Sequence, residues 1–342
     1  ELFFEKLAAS ARKPVDSNTV RERIRYDISI REALDWMWPV LTPAHLLHDL
    51  YGSRALLRSA NRGVFAEEEI QRLHRPRGEH AEQIIWRFQD APLLDEARAL
   101  LGYRPGKRNA DSVRTFGHIC IDEAQDLSPM ELRTIARRSL NGSMTIVGDI
   151  AQATGAWANS DWDAVISAFP EKRETRHREL TIGYRIPGPA MALANKVLPH
   201  AAPGLRPPQP VREDGAAPQI LRVASLVDEL VPIVRAELGE VVEGNVAVVV
   251  PDSLVAEVHR AFEAHDMPVG GPTRHGLDQQ VTVVPVRLVK GLETDAVVVI
   301  EPGRIVSEER QGIRSLYVAL TRATKRVTVV HREPLPAILE GE

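Results

Sequence analysis

From His118 to His331, short runs of strand length alternate with amphipathic helical stretches, and this alternation is what most constrains the fold. The runs are His118–Ile121, Met144–Val147, Leu180–Ile182, Gln219–Ala224, Asn245–Val250, Val281–Val286, Ala296–Glu301 and Val327–His331. Helical periodicity fills the gaps at Ser128–Ser139, Asp161–Phe169, Pro187–Leu198, Leu226–Leu238, Ser253–Ala264 and Ile313–Arg322. Strand–helix–strand alternation implies right-handed crossovers and parallel sheets covered by helices on both faces. One start signal is explicit: Ser128-Pro129-Met130-Glu131 places a capping serine, a proline at N1 and a glutamate at N3. The class is α/β, with Pro203–Pro218 as a proline-rich loop and Pro170–Glu179 as a polar linker between two units.

Residues 1–112 read differently. Apolar residues recur at three- and four-residue spacing over Ile28–Val40, Pro43–Leu57, Ala66–Leu73 and His80–Phe88. Pro92 opens a further short helix over Leu93–Leu101, which Gly102 stops. This segment is all-helical and names no reaction. At roughly 150 residues per domain, a chain of 342 residues holds about two globular units. No apolar run reaches the roughly 18 residues of a membrane span. The start, Glu1-Leu2-Phe3-Phe4, is neither a signal peptide nor an initiator methionine, so an internal fragment is expected. The single cysteine, Cys120, excludes an internal disulfide and fits a cytoplasmic protein, with its thiol as buried packing. With 43 basic and 47 acidic side chains the net charge is −4, so any grip on a polyanion must be local.

Five constellations carry chemistry. In His118-Ile119-Cys120-Ile121-Asp122-Glu123-Ala124-Gln125-Asp126, a hydrophobic strand delivers two adjacent carboxylates to the C-terminal edge of a parallel sheet, where α/β proteins bind ligands. One carboxylate can hold Mg²⁺ through its water shell and the other can polarise an attacking water. A second strand runs into Gly148-Asp149-Ile150-Ala151-Gln152, where Gln152 can sense a terminal phosphate, and on to Trp157, a stacking face for a base. Positive charge comes from Tyr184-Arg185 and from Arg322 in Tyr317–Thr324; planar guanidinium groups match phosphoryl oxygens. In Val289-Lys290-Gly291-Leu292-Glu293, Gly291 permits a tight turn, Lys290 offers a phosphate or nucleic-acid contact, and Glu293 an acceptor for a ribose hydroxyl. Taken singly, each has a blander reading: an acidic helix cap, a core aromatic, a surface ion pair, a loop.

In this order the five strings resemble motifs II to VI of the superfamily 1A helicases, the UvrD/Rep/PcrA group, over about residues 116 to 332. The resemblance implies two RecA-like parallel sheets covered by helices, one complete and one partial, preceded by the all-helical segment, with ATP between them. The expected division is 1–112 as a helical insertion, 113–175 as the C-terminal half of the first RecA-like domain, and 176–342 as the second. It implies that Asp122 holds Mg²⁺ and Glu123 activates water. Gln152, Arg185 and Arg322 contact the γ-phosphate, with Gly291 and Glu293 at the nucleotide, and Trp157 and Lys290 are weak nucleic-acid contacts.

The departures are equally specific. The phosphate-binding string G-x-x-x-x-G-K-[ST] is absent; Gly102-Tyr103-Arg104-Pro105-Gly106-Lys107-Arg108 is one residue short and lacks the hydroxyl. The polypeptide is therefore expected to be the C-terminal part of a longer protein and inactive as an ATPase by itself. Gly155 stands where unwinding members carry an aromatic, Ala158 where they carry an arginine, and Arg287 where they carry a histidine. About 105 residues separate Arg185 from Lys290, too few for the large 2B insertion. The wording "DEAQDLSPMELR", "GDIAQATG" and "LYVALTRATKR" looks more like the HelD-type branch, ATPases that release RNA polymerase. Three functions stay open: an ATP-driven motor acting on RNA polymerase, a 3′–5′ DNA helicase or translocase of DNA repair, and a binding scaffold without turnover. Oligomerisation is not implied. His45 and His48 are expected as a surface pair, and Lys172–Arg178 as a solvated linker.

Overall fold

The computed structural model describes residues 6, 9–10, 16–37, 39–78, 84–102, 113–159, 161–169, 173–273, 276–277 and 279–340. The chain divides into two compact units, 1–114 and 115–342.

The described part of the first unit holds α1 (Ser17–Tyr26), α2 (Ile28–Met37), α3 (Pro43–Gly52), α4 (Arg54–Asn61), α5 (Glu67–Leu73) and α6 (Ala91–Leu101). The single pattern expected over 43–57 is two helices. Ser53 is extended (φ −130°, ψ 110°), ends α3, and accepts the Leu56 N–H at 3.3 Å to start α4. A cap that serves both helices breaks the run without disturbing its apolar spacing. The helix expected over 80–88 falls partly outside the described residues; Phe88–Asp90 forms only one 3₁₀ turn. Gly102 ends α6 at φ +74°, as its position suggested. His48 is buried rather than superficial, with Nε2 3.0 Å from the Gly78 carbonyl. The Arg75 guanidinium forks onto the buried Asp90 carboxylate at 2.6 and 3.1 Å and covers the Tyr51 ring at 4.8 Å. That paired geometry holds Asp90 below the ordinary carboxylate range. The glycine string near residue 105 lies outside the described residues.

The second unit carries two parallel sheets. The smaller pairs β1 (Ile119–Ile121) with β2 (Met144–Ile146), linked by α7 (Pro129–Arg138) and followed by α8 (Trp162–Ile166). The capping box forms as read: Ser128 Oγ accepts the Glu131 N–H at 3.2 Å while Glu131 returns a carboxylate to the Ser128 N–H at 2.7 Å. Ile119, Ile121, Met144 and Ile146 face a core with Leu132 and Val165. Side chains alternate along a strand, so Cys120 points the other way and is exposed, not buried packing as expected.

Further along come β3 (Ile182–Gly183), α9 (Gly188–Ala201), β4 (Gln209–Pro210), β5 (Gln219–Arg222), α10 (Leu226–Val241), β6 (Val246–Val250) and α11 (Val255–Ala264). A small antiparallel pair, β7 (Pro272–Thr273) and β8 (Gly276–Leu277), precedes β9 (Val281–Pro285) and β10 (Thr294–Ile300). The chain closes with α12 (Pro302–Glu308), α13 (Gly312–Leu320) and β11 (Ala323–His331). Five strands form the larger sheet in the order β5-β11-β10-β6-β9, all parallel. On one face Ala247, Val249, Val297, Val299 and Val329 pack against α9 and α13; on the other Val248, Val298 and Ile300 pack against α10 and α11. Val246–Val250 is buried along its whole length because helices cover both faces. The first expected strand of this unit is not in the sheet. Instead β3 pairs with β4, inside the stretch read as a proline-rich loop, and Leu180 and Ile182 stay exposed. The helix α12 was not legible from periodicity, being one turn of apolar residues after a proline.

Leu316, fully buried between α9 and the sheet, sets a check on this core. Leu316→Ala should cost about 2–5 kcal/mol in urea unfolding; a loss under about 1 kcal/mol would place it outside the core.

Candidate active site

The chain leaves β1 through Asp122 and Glu123. Glu123 adopts a left-handed backbone (φ 53°, ψ 37°), uncommon for a residue with a side chain and typical of functional turns. Asp122 is exposed and its Oδ1 accepts the Glu123 N–H at 2.9 Å, which leaves Oδ2 toward solvent. From this turn the Glu123 side chain meets Gln125 and Lys290.

An unbroken chain of hydrogen bonds then leads from that carboxylate to the second sheet. Gln125 Nε2 donates to Glu123 Oε2 at 2.6 Å, and Gln125 Oε1 accepts the Asp149 N–H at 3.1 Å. Asp149 caps the 3₁₀ turn Ile150–Gln152 through the Ala151 N–H and accepts Gln152 Nε2 at 2.7 Å. Gln152 Oε1 in turn accepts Arg322 Nη2 at 2.7 Å. Gln125 is fully buried, and Gly148 is the residue that admits it: a Cβ there would lie 2.1 Å from Gln125 Oε1. Ala151 belongs to the core of the larger sheet, so the Gln152 turn is seated against α13 by apolar contact as well as by this bond.

Three cations meet this chain or lie beside it: Arg322 and Lys290 from loops of the larger sheet, and Arg185 from the loop after β3. Arg322, just ahead of β11, is buried and also donates through Nε to the Val318 carbonyl at 3.1 Å. Arg185 pairs with Glu293 at 2.5 Å. Lys290 Nζ reaches Glu123 Oε2 at 3.1 Å, the Gln152 carbonyl at 3.1 Å and the Asp126 carboxylate. Gly291, at φ +78°, makes the turn that aims Lys290 inward.

The electrostatics follow from burial and these partners. Burial opposes ionisation of Glu123, but the Gln125 bond and the Lys290 ammonium outweigh it and hold the carboxyl below its ordinary range. Burial and the nearby Arg185 charge depress Arg322 to about 10, so it remains a cation at neutral pH. Its folded pKa lies below its unfolded one; the cost of burying the charge is therefore present below pH 10 and is relieved only above it. A negative ligand beside Arg322 would relieve the same cost. Burial also raises the Tyr317 phenol well above its usual range.

The fold thus gathers Glu123, Gln152, Arg322 and Lys290 into one network and sets Arg185 with Glu293 alongside. Asp122 is not part of it: its carboxylate is exposed and accepts its neighbour's amide. Trp157 is not joined to it by any side-chain bond and is 64% exposed. Arg287 is turned away, paired with Asp252 at 2.7 Å. Sequence reasoning passed over Gln125, Asp126 and Asp149, which do the connecting. The signal available was the amide two residues after Glu123 on a turn that must carry its polar atoms inward.

Residues 280–330 match the model of the UvrD-like helicase C-terminal domain. The match contains Lys290, Gly291, Glu293 and Arg322. A solved structure, the C-terminal domain of a possible DNA helicase from Lactobacillus plantarum, is similar at 22% identity with a TM-score of 0.37, over 46% of this chain and 92% of that one. No curated protein sequence matches the chain. Among the described residues no helix is long and apolar enough to cross a membrane.

Gln125→Ala should destabilise the unit by about 1–3 kcal/mol, since it removes a fully buried side chain and strips the half-buried Asp149 N–H of its acceptor. Gly148→Ala should be at least as damaging, because its methyl group would enter the space of Gln125 Oε1. Chemical unfolding of both variants checks this; wild-type stability in either would remove the connecting role.

Proposed function

We propose that this chain supplies the Mg²⁺- and water-handling loops and the arginines of a superfamily 1 helicase-type ATP hydrolase. The observation that carries the reading is the hydrogen-bonded path from Glu123 through Gln152 to Arg322, which joins a carboxylate at one sheet's C-terminal edge to a buried cation of the other. The helicase-domain match over 280–330 supports it.

The residues fit a nucleotide and its metal in part. Mg²⁺ binds through one or two carboxylates and otherwise keeps water, and Asp122 offers a solvent-facing oxygen at the right edge. When bound, the ion would spread the charge of the phosphate oxygens. Glu123 is the group to take the proton of the attacking water at Oε1, since Gln125 and Lys290 occupy Oε2 and hold the group ionised. Arg322 is a preorganised, partly desolvated guanidinium for charge developing on a terminal phosphate, and Gln152 holds its orientation. Arg185 is engaged by Glu293 in this state and must exchange that partner for a phosphate. No string in this sequence supplies the backbone cradle for the β- and γ-phosphates. Turnover therefore needs a phosphate-binding loop from elsewhere in the intact protein.

We further propose that the motor acts on RNA polymerase in the manner of the HelD-type branch. Support comes from the motif wording, from Gly155, Ala158 and Arg287 in place of nucleic-acid contacts, and from the short Arg185–Lys290 interval. The exposed Trp157 favours a second reading, a DNA translocase, because a bare indole is a stacking platform worth about 1–3 kcal/mol per base.

The chain alone should show no ATP turnover in a phosphate-release assay. In the intact protein Glu123→Gln should keep nucleotide binding and lose hydrolysis. Arg322→Ala should lower turnover by about 10³-fold or more; a loss under tenfold would demote Arg322 to a structural ion. Stimulation of turnover by single-stranded DNA supports the translocase. Co-purification with RNA polymerase and indifference to DNA support the polymerase motor.

A further inference from the structure

Arg185 sits on the loop 184–187 between β3 and α9, and the stretch 209–212 brackets that loop from both ends. Ahead of it, the Gln209 and Val211 N–H groups donate to the Thr181 and Gly183 carbonyls at 2.7 and 2.8 Å. Behind it, the Gly188 N–H at the start of α9 donates to the Arg212 carbonyl at 2.7 Å. The approach is close: a Cβ at 188 would lie 3.2 Å from the Arg212 carbonyl oxygen and 3.4 Å from that of Glu213, so a side chain there would push against the segment. From this bracket the half-buried Arg212 side chain reaches two backbone oxygens at once. Its Nη1 donates to the Arg185 carbonyl at 3.1 Å and to the Thr324 carbonyl at 2.7 Å. Thr324 follows Arg322 by two residues, where β11 is irregular: two steps along β10, Thr294 to Ala296, face three along β11, Ala323 to Arg326. A bulge disrupts the ladder locally, and Arg212 supplies a donor at that point. On the other side of Arg322, the Thr321 carbonyl lies 3.5 Å from Arg185 Nη2.

We propose that Arg212 is a positioning residue that fixes the distance between Arg185 and Arg322, the two guanidinium groups proposed for a terminal phosphate, without touching the nucleotide itself. One nitrogen ties the backbone at Arg185 to the strand that begins behind Arg322. Among the described residues β3 pairs with β4 and not with the larger sheet, so the strand ladder does not set where Arg185 stands relative to β11. Two cations brought side by side repel, and the Arg185 charge already works against the buried Arg322. Their common geometry therefore has to be imposed through the backbone, and Arg212 gathers the two carbonyls that impose it. The effect on turnover rests on the motor reading above; the clamp itself does not.

Kinetics of ATP hydrolysis by the intact protein test the role in turnover, with single-turnover rates at high enzyme concentration keeping slow variants measurable. Arg212→Met should lower kcat by about tenfold and leave the KM for ATP within about threefold, because orientation for the transition state is lost and ground-state binding is not. In an Arg185→Ala background the same change should cost under about twofold more, since a residue that acts through Arg185 has nothing left to position. A purely structural residue would cost the same in both backgrounds. That result, or a kcat within about twofold of wild type, overturns the proposal. Hydrogen exchange in the chain itself, followed by mass spectrometry, tests the clamp apart from turnover. In Arg212→Met the amides of 184–186 and 188 should exchange about tenfold faster, the factor expected for loss of one charge-assisted bond. Protection kept in β6 and β10 shows that the variant is folded. If Arg212→Met loses it, Arg212→Gln, a polar side chain too short to bridge both carbonyls, carries both tests. Exchange at these amides within about twofold of wild type in a folded variant also overturns the proposal. Absence of ATP turnover in the wild-type intact protein would remove the motor reading while leaving the exchange result intact.

Discussion

A buried guanidinium is the constraint around which the second unit is organised. Arg322 is enclosed by α13 and the Gln152 turn, and losing water makes its charge costly. Among the described residues the oxygens that meet it are the Val318 carbonyl, the Thr321 hydroxyl and the Gln152 amide. Among the described residues no carboxylate pairs with it directly, so the charge is stabilised by oriented dipoles. That arrangement explains why Gln152 must be held at both ends of its amide. Its nitrogen is spent on Asp149, which forces its oxygen toward Arg322.

The two sheets contribute to the site by opposite edges. Glu123 and Gln152 follow the C-terminal ends of β1 and β2, where parallel sheets ordinarily present ligand-binding loops. Lys290 and Arg322 instead precede β10 and β11 and so come from the N-terminal edge of the larger sheet. Carboxylates on one side and cations on the other are complementary across the junction. A sheet that supplied both would have to hold unlike roles in one loop cluster.

In the present arrangement the cations satisfy one another's neighbours. Arg185 is paired with Glu293, and Lys290 is shared between Glu123 and Asp126. Each of these cations therefore already has a carboxylate partner within the chain. Net charge plays no part in this, since the whole chain is slightly acidic. Local placement of a few side chains outweighs the average because interactions weaken steeply beyond about 8–10 Å at physiological salt.

Much of the fold was legible beforehand because its information is local. Valine and isoleucine runs of five residues between helical stretches have few solutions other than a parallel sheet covered on both faces, and Ser128 with Glu131 marks a helix start with two hydrogen bonds of its own. The strand-end acidic pair and the arginine before β11 could be placed for the same reason. What the chain alone did not reveal is where residues far apart in sequence share one atom. Cys120 looked like core, but a two-stranded sheet covered on one face exposes every second residue. Leu180–Ile182 had strand composition, yet its hydrogen-bonding partner turned out to be Gln209–Pro210, outside the main sheet. The part played by Gly148 emerges only from the approach of Gln125, whose Oε1 fills the space a Cβ would take. Periodicity and capping determined the elements; only packing across about 170 residues of chain decided that Gln152 and Arg322 would share a hydrogen bond. Contacts of that span are selected by the whole core, not by any window of sequence.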